Sequence, residues 1–212
     1  MSTVVSLQLG KVQTLPSPEG AWTTATFKQP VEGPVWLGEL GFTGDEQADR
    51  KNHGGPDKAV LVYSGDHYAA WHPGVFADPL PFGAFGENLS VTGMQEADVA
   101  VGDVYRLGGA VVQVSQPRQP CWKQARRWGI RDLVVTINQT GRTGWYIRVI
   151  EEGSVQAGDS FALIERPHPE WPVPLAHQIL HFRKDDAEAA RALAECPALA
   201  EVWKRELLRR VK

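Results

Sequence analysis

Along residues 1–165 the apolar positions come in short runs that alternate with polar ones or are cut off by glycine and proline. Runs of this length and period read as strands. Strands are predicted at 4–9, 24–28, 35–37, 59–63, 88–91, 104–107, 110–115, 145–150 and 160–165. Turn signals such as "VGD", "GG" and "EEGSVQAGD" separate several of them. Many short strands at turn spacing predict a mainly β chain, a barrel or sandwich rather than βαβ units. Short helices are predicted at 65–71 and 121–128. A further one at 131–138 is opposed by the β-branched Val134, Val135, Thr136 and Ile137, which lose side-chain freedom in a helix.

The pattern changes near residue 166. "RPHPEWPVP" holds four prolines in nine residues, which suits a stiff linker over 166–174. Beyond it glycine disappears and Ala, Leu, Glu and Arg dominate, giving a three-helix module over 175–212 after a β domain over 1–165. The first helix is read from about 174 to 182. Asp185 is placed as the cap of the second, with Glu188 completing a capping-box-like start, and Pro197 fits the first turn of the third. Leu199, Val202, Trp203 and Leu207 share one helical face. The module is too short for much stability alone, so it is expected to dock on the β domain or on a partner.

Composition narrows the function classes. Hydrophobic residues make up 42% and charged residues 22%, with a net charge of -3, so nothing global points to nucleic acid or an anionic membrane. The N-terminal stretch lacks a basic region followed by an apolar one, and no run of about 18 apolar residues exists. A cytoplasmic location is expected, and there the two cysteines are read as free thiols. Common chemistries fail on spacing. "GSVQAGDS" has phosphate-loop spacing but puts Asp159 where the lysine belongs. The histidines are scattered, and no glycine fingerprint for a dinucleotide follows a strand.

Three segments carry the remaining chemistry. "GDEQADRKNHGGPDKAVLVY" gathers Asp45, Asp49, Arg50, Lys51, His53, Asp57 and Lys58 around the Gly54–Gly55–Pro56 turn, where glycines let backbone approach a ligand. The bland alternative is a charged surface turn. "VSQPRQPCWK" places Cys121 in a stiff, basic setting. A helix starting there and Arg118 both favour thiolate, with Lys123, Arg126 and Arg127 adding positive field; the alternative is a buried structural cysteine. "GRTGWYIRV" offers Arg142 as an anion binder, or else a hairpin with a solvated arginine. "FGENLSV" adds Glu87 and Asn88, or a plain polar turn. A sulfur ligand together with several cations and amide donors suits a ligand that carries both a soft metal and a phosphate.

"HGGPDKAV", "GENLSV", "VGDVYRLGGAVVQVSQPRQPC" and "GRTGWYIRV", in that order, resemble the MOSC family, named for the C-terminal domain of molybdenum cofactor sulfurases. Their order and spacing are similar to the bacterial subgroup that confers resistance to N-hydroxylaminopurine. The C-terminal helices likewise resemble that subgroup's three-helix appendage. The resemblance implies a β-barrel-like fold and binding of the molybdenum cofactor (molybdopterin), with Cys121 ligating molybdenum. No pyridoxal phosphate is called for. It places His53, Lys58, Asn88, Arg118 and Arg142, with Gly54 and Gly55, in segments lining the site. The expected activity is reduction of N-hydroxylated small molecules, such as hydroxylaminopurines and hydroxylamines, to amines. Cys121 and His53 are then the catalytic residues, with His53 or an Asp of the first segment supplying a proton as the N–O bond cleaves. Tyr63, Tyr68, Trp122 and Trp145 are candidates for stacking a purine or for the core. Electrons must come from a separate reductase, no nucleic acid polymer or membrane is implied, and a homodimer is open. Two alternatives remain: a carrier of cofactor or sulfur without turnover, and a cysteine hydrolase that would need His53 paired with Cys121.

Overall fold

In the computed structural model, which describes residues 2–18 and 20–211, seven strands close into a ring. They are β1 (Ser2–Leu9), β2 (Val60–Ser64), β3 (Leu89–Thr92), β4 (Val104–Leu107), β5 (Ala110–Pro117), β6 (Trp145–Glu151) and β7 (Ser160–Glu165). The order is β7-β4-β5-β6-β2-β3-β1, and Ser2↔Phe161 and Thr3↔Ser160 join β1 back to β7. Closure removes the free edges that an open sheet would expose. Alternation sends Val4, Val62, Leu89, Val112, Val114, Trp145 and Ile147 to one interior core.

Every neighbouring pair is antiparallel except β2 and β3, which run parallel. A parallel pair needs a long crossover. Residues 65–88 supply it, laying Trp71, Phe76 and Phe85 against Tyr63 on the outside of β2. All five residues of β2 are therefore buried, as a strand covered on both faces requires.

Around the ring lie the helices α1 (Trp122–Trp128) and α2 (Leu133–Thr140), and the module is built from α3 (Val173–His181), α4 (Ala187–Ala194) and α5 (Glu201–Leu208). The helix opposed by its β-branched residues forms, two positions later than expected. Leu133 and Ile137, four apart on one face, are both fully buried in the crossover cluster, and that burial outweighs the intrinsic preference. Gly141 closes it at φ 70, a left-handed conformation that favours glycine. The segment expected as a strand at 24–28 is paired only over Trp22–Thr24.

The C-terminal module packs on the barrel. Val101 joins its apolar cluster, and β-type hydrogen bonds run from Val101 N to Trp171 O (2.9 Å) and from Val173 N to Val99 O (2.8 Å). The proline-rich stretch is thus laid along the barrel, with Arg166 hydrogen-bonded to the buried Asp103 at 2.7 and 2.8 Å. Two helix starts differ from expectation. The α4 cap is Asp186, whose Oδ1 accepts from Ala189 N at 3.0 Å, not Asp185. Pro197 lies in the turn before α5, because Ala200 N bonds to Ser115 O (2.9 Å) and Glu201 N to Asp57 Oδ2 (3.2 Å). A carboxylate of the barrel therefore caps α5, which no local pattern contains.

Candidate functional site

The glycine-rich segment and the cysteine-bearing turn meet at one cleft on the barrel. It encloses about 650 Å³ of empty space, its open mouth included, within the range of small-molecule sites. Cys121, His53, Lys58, Asn88, Arg118, Lys123, Gln124 and Tyr146 line it.

Arg118 leaves the end of β5, and its backbone N bonds to Gly144 O at 3.0 Å. Its side chain is 3% exposed. Nη2 donates to Phe85 O at 2.8 Å, while Nη1 is buried with no partner among the described residues. Gln124, on α1, donates to the same carbonyl at 2.8 Å and leaves its own Oε1 buried and unpartnered. Buried polar groups are nearly always satisfied, so a guanidinium nitrogen and an amide oxygen left without partners on one wall call for a ligand or water.

Cys121 is the N-terminal cap residue of α1 and is partly exposed. Its thiol sits where the cleft meets an adjoining recess lined by Trp122, Val202 and Glu206, so the module supplies part of that wall. Gln119 Nε2 donates to Glu206 Oε2 at 3.2 Å across this seam. Trp122 is 54% exposed, 5.8 Å from the Trp22 ring, with the Arg126 guanidinium 5.1 Å over it. The other aromatic candidates are spent in packing. Tyr63 and Trp145 are fully buried, and the Tyr68 hydroxyl is hydrogen-bonded to Glu87.

His53 ends a one-turn helix (Arg50–His53) whose cap, Asp49, accepts from Asn52 N at 3.1 Å. The Arg50 side chain lies outside the described residues. Burial, reinforced by Lys58, Arg118 and Lys123, pushes His53 down to about 4, with Asp49 opposing. The imidazole is therefore neutral at pH 7. Among the described residues it makes no hydrogen bond to Cys121, so no cysteine–histidine dyad is assembled. Gly55 has φ 91 and nothing within 4 Å of where a Cβ would stand, so the turn needs glycine for its backbone and leaves open space above it. Gly54 is extended. Lys58 Nζ donates to Asn52 O at 2.7 Å and lies 6.0 Å from the Tyr146 ring centre; burial lowers its pKa. Burial likewise raises Tyr146 to about 12, so its hydroxyl stays protonated.

Asn88 lines the cleft, but its amide is already committed. Oδ1 accepts from Leu61 N (3.3 Å), and Nδ2 donates to Gln8 O (3.3 Å) and Asp45 Oδ2 (2.9 Å). Asp45 in turn holds Lys28 Nζ at 2.5 and 2.7 Å and accepts from Gly10 N at 2.7 Å. Lys28, 8% exposed, is a site-wall residue that the sequence did not signal, because it sits at the end of an ordinary β-like run. Glu87 turns inward and accepts from Gly83 N (2.7 Å), Phe85 N (3.1 Å) and Ser90 Oγ (2.9 Å), fixing the loop that presents Phe85 O.

Arg142 is not brought to this cleft. Thr143 is fully buried and Gly144 N donates to Glu96 Oε1 at 2.7 Å, so the chain turns into the barrel right after Arg142 and throws it outward. Its guanidinium lies 5.5 Å over Trp71, on a separate cleft between barrel and module.

Two family models account for most of the chain: "MOSC domain" over residues 49–162 and "YiiM-like, 3-alpha helix domain" over 171–212. The chain is 45% identical to the Bacillus subtilis (strain 168) "Uncharacterized protein YflK", covering 98% of this chain and 94% of that one. It is 38% identical to a Gibberella moniliformis protein named "Reductase", covering 85% of this chain and 32% of that one. The crystal structure of YiiM from Geobacillus stearothermophilus superposes with a TM-score of 0.86 at 35% identity, over the full length of both chains.

Proposed function

The chain belongs to the MOSC domain family, and from that premise we propose that it binds the molybdenum cofactor at the Cys121 cleft and reduces N-hydroxylated compounds to amines. The observation that carries the reading is the buried, unpartnered Nη1 of Arg118 on the wall shared with the Cys121 thiol. The residues fit the two ends of such a group. Arg118, Lys58 and Lys123 suit a phosphate, Gln124 Oε1 suits a ring N–H, and the thiol suits a soft metal. Among the described residues no group of three or more His, Cys, Asp or Glu is placed to hold a metal ion. A metal at Cys121 would then bring its remaining ligands with the cofactor.

When bound, the cofactor supplies a two-electron, oxygen-abstracting redox centre. The chain supplies the rest. Cys121 contributes one sulfur donor, and the cations orient the phosphate end. His53 is neutral. Burial is the first cause of that neutrality, so His53 is assigned a hydrogen bond to the departing hydroxyl, and the protons are drawn from solvent. The conversion of R–NHOH to R–NH₂ and water consumes two electrons and two protons. The electrons are assigned to a separate reductase, in keeping with the relative named Reductase, of which this chain matches 32%.

The test is molybdenum and pterin analysis of protein purified from a host that makes the cofactor, followed by turnover of N-hydroxylaminopurine with a chemical reductant. Stoichiometric molybdenum that Cys121→Ala loses supports the reading. Protein free of molybdenum and pterin from such a host overturns it. Cofactor bound without turnover points instead to carriage of cofactor or sulfur.

A further inference from the structure

The cleft that takes Arg142 is larger than the one at Cys121 and shares none of its residues. It lies along the seam where α3 of the module faces the crossover and the end of α2, and it encloses about 1440 Å³ of empty space, mouth included. Its polar groups fall into two sets. At the rim stand two guanidinium groups, Arg142 from the barrel side and Arg183 from just beyond α3. Arg142 is braced over Trp71 and reaches Ala70 O only at 3.5 Å, so most of its donors are free. Arg183 is exposed.

The deeper set consists of acceptors. His177 is 3% exposed, and its Nε2 must be the protonated nitrogen, because it lies 3.1 Å from the Asn138 carbonyl oxygen, which can only accept. Nδ1 is thereby a lone pair, buried and unpartnered. Asn138 Oδ1 is a second buried acceptor without a partner. Burial lowers the His177 pKa, which keeps the ring neutral. Two acidic side chains also line the cleft. Glu96 is engaged by His67 Nε2 (2.6 Å) and Gly144 N (2.7 Å), and Asp66 accepts from Gly93 N (3.0 Å). Arg142 and Arg183 offset Asp66 and Glu96 overall, but Glu96 is buried whereas Arg183 is exposed. The Phe182 ring, 55% exposed, adds an apolar face to the same cleft.

We propose that this seam cleft is a second binding site, for a small aromatic monocarboxylate that carries a hydroxyl or amino donor. Arg142 and Arg183 take the carboxylate, Phe182 takes the ring, and His177 Nδ1 with Asn138 Oδ1 accept from the donor. Because the ligand touches both the barrel and α3, it ties the module to the barrel. Two guanidinium forks suit one carboxylate, and forked guanidinium–carboxylate bonding is the strong form of such contacts. A donor-less ring would leave the two acceptors unpaired, which is what gives the site selectivity.

Calorimetric titration of the full chain tests this with three probes: 4-hydroxybenzoate, benzoate and 4-hydroxybenzyl alcohol. Saturable binding of 4-hydroxybenzoate is expected, weaker by about tenfold or more for each of the other two. Arg142→Ala and Arg183→Ala should each weaken 4-hydroxybenzoate by about tenfold or more, and His177→Phe should erase its advantage over benzoate. Lys58→Ala, in the other cleft, should leave binding unchanged. Arg183 is exposed, so its variant reports even if Arg142→Ala fails to fold. No saturable binding, wild-type binding in Arg183→Ala, or loss of binding in Lys58→Ala would each overturn the site. None of these readouts uses molybdenum, so the result is independent of the function proposed for Cys121.

Discussion

The two clefts are made in opposite ways. The Cys121 cleft takes its chemistry from segments that look unusual in the sequence: a glycine-rich charged turn, a proline-bracketed cysteine and a Gly-Glu-Asn turn. Its walls are rigid because polar side chains are spent holding backbone, as Asn88, Glu87 and the Lys28–Asp45 pair show. The seam cleft takes its groups from the ordinary helical faces of α2 and α3 and from the segments just beyond them, which meet only when the module docks. One site is pre-organised by local design; the other exists because two packed units leave a gap between them. Removing a side chain should accordingly change chemistry at the first and affinity at the second.

The sharpest way to separate them is Cys121→Ala. Reduction of N-hydroxylaminopurine should fall to background while 4-hydroxybenzoate titrates as in the wild type; retained turnover would sink the ligand role of the thiol. Next in size is Lys28→Met, which strands the Asp45 carboxylate in a buried wall. Loss of one partner of a buried pair costs about 3–5 kcal/mol. Urea unfolding should show that loss, whereas Arg183→Ala at the exposed rim should stay within about 0.5 kcal/mol. If both variants unfold alike, the contrast in rigidity is wrong.

Arg118→Lys keeps the charge but removes the fork that grips Phe85 O and carries the unpartnered Nη1. Its molybdenum content, measured by elemental analysis after extensive dialysis, should drop by roughly 10–100-fold in retention. Acid distinguishes the regions more gently. Burial holds both His53 at the first cleft and His181 in the module at about 4, below an ordinary value of 6.5. The unfolded chain therefore binds protons first as pH falls. Stability is complete above about 6.5 and drains between 6.5 and about 4. A melting-temperature profile over that window should flatten in His53→Gln and, separately, in His181→Gln; an unaltered slope in both would exclude them as its source. The smallest effect is expected for Glu206→Ala, which removes the 3.2 Å bond to Gln119 and costs no more than about 1 kcal/mol in the same urea assay.

Much of the barrel was legible because strand signals are local. The runs at 104–107 and 160–165 form strands over those same residues, and the run at 110–115 extends only to Pro117. What local reading could not see was burial on a second face. α2 forms against its β-branched composition because Leu133 and Ile137 are covered by the crossover. The cap of α5 is Asp57, more than a hundred residues away. At the site, Cys121, Arg118, Lys58 and His53 stood out by their company. Lys28, Gln124, Tyr146 and Glu206 carried no such mark and line the cleft or its adjoining recess only through long-range contact.

By itself the sequence determined the period-two strands, the glycine turns and the presence of a cysteine among cations, since these follow from residue type and spacing within a few positions. Only the tertiary structure decided where side chains point once the ring closes. It turned Arg142 away from the cysteine, because Thr143 and Gly144 had to enter the core. It also left Arg118 Nη1 and His177 Nδ1 buried with no partner among the described residues. An unpartnered buried atom is defined by everything packed around it, and no stretch of chain encodes that alone.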